Sequence, residues 1–179
     1  ARLDIFDTDD NYIASFGSAE LTDDDTFIAY KADSDPIING VGDEDFWDTL
    51  TWYSLHHVWL PYNDFVEPED FTGRFKLSWN DDHLLMLVEI ADDSLYDGHT
   101  DPLDNYWNDD CVEVFLDEDH SGGNHLSSYN AFAYHVSTEY DVVDHNDAAS
   151  PALFNDHIEA FWTQEGNSFV WELAIDIYD

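Results

Sequence analysis

The sequence predicts an all-β chain folded as a two-sheet antiparallel β-sandwich, jelly-roll-like, with only a few short helical turns. Three observations carry this expectation. Short runs of Val, Ile, Phe, Tyr and Trp recur between clusters of Asp, Asn, Gly and Ser, long helical periodicity is absent, and several runs alternate apolar with polar residues. With about eight or nine such strands and no intervening helices, stacking two sheets buries the apolar faces.

The elements follow in chain order. A weak strand is expected at residues 3–6, then strands at 27–32 and 52–59. Between them, acidic residues precede Phe46, Trp47 and Leu50, which predicts a short helix or turn over 43–50. Residues 71–79 place Phe71, Phe75, Leu77 and Trp79 on one face, read as core, and Thr72, Arg74, Lys76 and Ser78 on the other. The turn Asn80-Asp81-Asp82 leads into a strand over 83–91, where Leu84, Met86, Val88 and Ile90 share a face. A long polar loop spans 92–109. Further strands are expected at 110–117, 129–138, 157–163 and 168–177, the last two joined by Gln164, Glu165, Gly166 and Asn167.

The charge is extreme. Against 42 Asp and Glu stand 4 Lys and Arg, a formal net charge of -38 over 179 residues. Such a surface repels nucleic acid and anionic membrane, and no apolar stretch is long enough to insert into a bilayer. Self-repulsion is relieved by salt or by divalent cations, so a saline or calcium-containing medium, marine or halophilic, is the expected habitat of a secreted or extracellular protein, with most carboxylates acting as solvated surface. Cys111 is the only cysteine, so no intrachain disulfide or thiolate zinc site can form.

Three segments could carry chemistry. In the first, Tyr106 and Trp107 end the polar loop and enter a strand on which Val112, Val114 and Leu116 point to a core while Cys111, Glu113, Phe115 and Asp117 point away. A flat aromatic face beside a carboxylate suits a sugar ring, which has an apolar face and a rim of hydroxyls. The same pattern also fits a core or rim Trp with a solvated Glu. In the second, Asp117, Asp119 and Asn124 place oxygens around Gly122 and Gly123, an arrangement open to calcium and equally to a plain acidic turn. In the third, residues 129–136 group Tyr129, Ala133 and His135 on one face, with Asn130 at the start of the run.

At these residues the sequence resembles the family 9 carbohydrate-binding modules. The resemblance runs from Pro36 onward through Pro36-Ile37-Ile38-Asn39-Gly40, Asp43-Glu44-Asp45-Phe46-Trp47, the run Trp79 to Ile90, and above all Trp107 through Glu118, which matches Trp-x-x-Asp-x-Val-Glu-x-Phe-x-Asp-Glu. It implies a non-catalytic, calcium-stabilised sandwich that binds a plant or algal polysaccharide or its chain ends and brings an attached or partner glycoside hydrolase to it. Trp107 would stack on the sugar, with Glu113, His135, Tyr106 and Asn130 around it and calcium at Asp117, Asp119 and Asn124. His135 falls where the family has an Arg. Residues 33–179 would form this domain, ending before the closing strands that supply a second Trp, and residues 1–32 would be an extension that adds a strand or docks a partner. Haem-binding electron-transfer domains of the DOMON type share the architecture, but Met86 shares a face with Leu84, Val88 and Ile90 and reads as a core residue, which makes haem the weaker expectation. For a glycoside hydrolase, no carboxylate pair stands out as one held across a cleft.

Overall fold

The computed structural model describes residues 2–6, 12–17, 26–55, 67, 70–117 and 131–177. Among them twelve strands form two sheets. The larger holds β1 (Arg2–Phe6), β2 (Tyr12–Gly17), β3 (Thr26–Lys31), β4 (Tyr53–Leu55), β5 (Phe71–Trp79), β6 (His83–Asp92), β11 (Ile158–Glu165) and β12 (Ser168–Asp176). Its order is β11-β12-β6-β5-β3-β1-β2, with β4 also on β5. The smaller is β10 (Pro151–Leu153), β9 (Val142–His145), β8 (Ala131–Ser137) and β7 (Cys111–Asp117).

The sandwich is antiparallel-rich, with one departure from the sequence expectation. β3 lies parallel to both β1 and β5. The reason is topological: β2 reverses the chain beside β1, and β3 then returns in the direction of β1 on its other side.

The tight turns are where the sequence puts them. Asn80 Oδ1 accepts the N–H groups of Asp82 and His83 at 3.0 and 2.7 Å, closing the β5–β6 hairpin. Gly166 takes φ +64° between β11 and β12, a left-handed conformation that favours glycine.

The core lies between the sheets. Phe75, Leu77, Leu84 and Val88 meet Trp171, Leu173 and Ile175 from the larger sheet, and Val112, Val114, Phe132, Tyr134 and Val136 close it from the smaller. Met86 packs against this cluster as an aliphatic side chain does.

On the even-numbered face of β5, Thr72 and Arg74 are exposed, but Lys76 and Ser78 are as buried as Phe75 and Leu77, which corrects the expected solvent face over that half of the strand. A strap over residues 32–52 covers the outer side of the larger sheet and builds a second cluster from Ile38, Trp47, Leu85, Leu87 and Ala174. The expected helix over 43–50 is a single 3-10 turn, Trp47–Thr49, within this strap. Lys76 Nζ donates to the Trp47 carbonyl and sits 4.4 Å from the centre of the Trp52 ring, and burial lowers its pKa.

Glu172, fully buried on β12, holds the strap in place. Its Oε2 accepts the N–H groups of Asn39, Gly40 and Val41 at 3.0, 2.8 and 3.2 Å, and its Oε1 accepts the Trp47 indole N–H at 3.2 Å. Gly40 has φ +74°, and a Cβ there would stand 2.6 Å from the Trp162 backbone, so no other residue fits.

Candidate functional site

The outer face of the smaller sheet carries the site, and the end of the polar loop sets its geometry. Asn105 turns the chain at φ +53°, and the 3-10 turn Tyr106–Asn108 then delivers two aromatics to the start of β7. They part in opposite ways. Tyr106 is buried to 8 % exposure, whereas Trp107 keeps 53 % of its surface open. Their rings meet edge to face at 5.1 Å, so the tyrosine props the indole rather than sharing its exposed surface.

Tyr106 is fixed in turn. Its ring lies edge-on to His135 at 4.7 Å, and its hydroxyl is 3.2 Å from His145 Nδ1. Burial, helped by the negative charges of Asp144 and Glu113, raises its pKa.

β7 keeps its predicted alternation. Val112, Val114 and Leu116 enter the core, while Glu113 and the 59 % exposed Phe115 face outward. In the β7–β8 ladder Glu113 stands directly opposite His135, which brings Glu113 Oε1 within 3.3 Å of His135 Nε2. The other imidazole nitrogen, Nδ1, lies 2.9 Å from the Ala133 carbonyl. Both ring nitrogens therefore face acceptors, an arrangement that only the doubly protonated imidazolium satisfies. The His135 hydrogen bond lowers the Glu113 pKa against the effect of burial. Burial opposes charge on His135, but the Glu113 hydrogen bond and charge outweigh it and raise the His135 pKa.

The sign of the resulting pH dependence follows. The Glu113 contribution is present above pH 4.5 and lost as pH falls through its depressed folded value; the His135 contribution is present below pH 6.5 and lost as pH rises through its raised folded value. Thermal unfolding followed against pH is expected to show this pair at full strength between those two values. In H135A both flanks should flatten.

The loop before the turn is anchored by carboxylates. Burial would raise the Asp109 pKa, but the N–H groups of Gly98 and His99 and the His99 ring at 2.8 Å bring it below its ordinary value. Asp110 accepts the Tyr96 N–H at 2.6 Å, and burial raises its pKa. Burial also pushes the Cys111 thiol up to about 12, which keeps it protonated and poorly nucleophilic.

The structure thus brings Tyr106, Trp107, Glu113 and His135 together, with Tyr106 as a buried support. Asn130, Asp119 and Asn124 lie outside the described residues. Asp117 sits half-buried at the end of β7, and among the described residues no group of three or more His, Cys, Asp or Glu is placed to hold a metal ion. Sequence reasoning did not single out His99, Asp109 and His145. Phe115, which the alternation already set beside Glu113 on the outward face, is exposed there.

Comparison with known proteins gives concordant results. The family model described as carbohydrate family 9 binding domain-like matches residues 38–178. Similar solved structures include a family 9 carbohydrate-binding module from Caldicellulosiruptor kristjanssonii in complex with cellotriose, with a TM-score of 0.60 at 20% identity, covering 84% of this chain and 68% of that one. The same description with glucose has a TM-score of 0.59 at 20% identity, covering 84% and 69%. Curated proteins give no match. At this identity the structures establish the shared fold, and the family model, spanning well over half of the chain, establishes the family: the chain belongs to the carbohydrate family 9 binding domain-like proteins.

Proposed function

We propose that this chain is a non-catalytic carbohydrate-binding module whose Trp107 indole stacks on a pyranose while Glu113, held in place by His135, bonds its hydroxyls. The observation that carries the reading is the open Trp107 indole, linked through the Tyr106 ring to the Glu113–His135 pair. An indole supplies the apolar contact and an ionised carboxylate accepts from hydroxyls, while the His135 imidazolium, its two N–H groups engaged by Glu113 and the Ala133 carbonyl, keeps that carboxylate oriented and ionised. Family membership supports it, as do similar structures solved with cellotriose and glucose. The ligand class we infer is a plant or algal polysaccharide or its chain ends, bound by a secreted protein that brings an attached or partner glycoside hydrolase to its substrate through local concentration.

Isothermal titration calorimetry with glucose and cello-oligosaccharides is the direct test, and saturable binding is expected. Heats no larger than dilution across those sugars and a broader glycan array would overturn the reading.

Calcium at the turn containing Asp117, Asp119 and Asn124 belongs to the same proposal, on the composition of that turn and the family resemblance. Removing it with EDTA is expected to lower the unfolding temperature, and added calcium to restore it. Identical melting curves with and without chelator would exclude a stabilising ion.

A further inference from the structure

A cleft of about 350 Å³ shares Tyr106 and His135 with the site just described, Tyr106 being the ring that props the indole. Its volume is that of a small-ligand pocket. From His135 it continues along β8 to Ser137 and the turn that follows, so the outer face of the smaller sheet offers a path past the first sugar unit. The lining carries the chain's acidic character into the cleft. It includes the carboxylates of Asp97, Asp109, Asp110, Glu139 and Asp141 and neither Lys nor Arg.

Asp109 and Asp110 spend acceptors on the loop's own N–H groups, while Asp97 and Glu139 are exposed. A carboxylate offers about four acceptor sites and, when ionised, no donor. Sugar hydroxyls, which donate, fit such a wall. A uronate or sulfate would be desolvated against like charge, and the His135 imidazolium on the wall is already paired with Glu113.

We propose that this cleft, on the carbohydrate-binding reading above, takes the sugar units beyond the one on Trp107 and admits saccharides presenting hydroxyl donors while rejecting uronic-acid chains. Selectivity then resides in the cleft and affinity for the first unit in the indole.

The test is calorimetric titration of the whole chain with glucose, cellobiose, cellotriose and cellotetraose, and with β-1,4-linked glucuronic-acid oligomers of matched length. Affinity is expected to rise by about tenfold between glucose and cellotriose, and the uronic-acid trimer to bind at least about tenfold more weakly than cellotriose. Glu139→Lys should strengthen uronate binding by about threefold and leave glucose unchanged. Glu165→Lys, on the β11–β12 hairpin outside the cleft, changes net charge equally and should not. If affinity is flat with length while Trp107→Ala still removes binding, the cleft is unused and the carbohydrate reading survives. Equal effects of the two lysine variants, or uronic-acid oligomers binding as well as cellotriose, overturn the selectivity. Failure of every sugar to bind overturns both.

Discussion

Trp107→Ala is expected to remove measurable sugar binding while leaving the fold intact. A pyranose covering roughly 100 Å² of indole, at about 25 cal/mol/Å², contributes about 2.5 kcal/mol, or a factor of about 70 in Kd. Bonds from sugar hydroxyls to Glu113, which His135 orients, replace bonds to water and contribute less per group. Losing the platform therefore outweighs losing either polar partner. The fold should not notice, because Trp107 is 53 % exposed and its described ring contact is the edge of Tyr106. An exposed substitution of this kind changes stability by about 0.5 kcal/mol or less. Trp107→Phe keeps a smaller ring and should fall between wild type and alanine. Titration alongside thermal unfolding separates the two readouts, and unchanged affinity in the alanine variant would take Trp107 out of the site.

The largest stability effect is expected at Glu172→Ala. The substitution removes the acceptor of three backbone N–H groups and of the Trp47 indole in one step. An orphaned buried donor costs about 1–3 kcal/mol, and since two of the backbone bonds are only partly buried, the total is about 4 kcal/mol. For a chain of this size that is a drop of about 8–16 °C in Tm. The strap should loosen first, because these bonds tie residues 39–47 to β12; faster hydrogen exchange at Gly40 and Val41 would report it. A loss under about 1 kcal/mol would mean that apolar packing alone holds the strap.

Glu44 gives the contrasting case. Its Oε1 accepts the Ile37 N–H at 2.8 Å, but its Oε2 is buried and has no hydrogen-bond partner among the described residues. Burial, together with the negative Glu172 carboxylate, raises its pKa above 4.5 although the Ile37 N–H opposes the shift. The folded chain then holds a proton that the unfolded chain has released, so stability falls as pH climbs from 4.5 through the raised value. Glu44→Gln carries no charge and should flatten that decline.

Much of the fold was legible in local pattern. Period-two alternation separated Val112, Val114 and Leu116 from Glu113 and Phe115, and the structure keeps that division. Asn80 and Gly166 marked their hairpins because an Asx turn and a positive φ are properties of single residues. The strands β9 and β10 escaped notice because four and three residues, one of them Pro151, carry too little periodicity to stand out from a loop. The candidate site was legible by halves: the sequence named Trp107, Glu113 and His135 separately, and only the β7–β8 register pairs the last two.

The sequence by itself determined which residues alternate, where the chain turns and how strongly acidic it is, since each is a local or additive property. Tertiary structure alone decided the rest. Along β12, Glu172 falls on the face away from Trp171 and Leu173 and reads locally as a solvated carboxylate, yet it is the acceptor at the centre of the strap, 132 residues from Gly40. Tyr106 and Trp107 are adjacent aromatics of similar character, and one is buried while the other is open. Such outcomes depend on which distant segment covers a face, and no periodicity within a strand encodes what will lie on top of it.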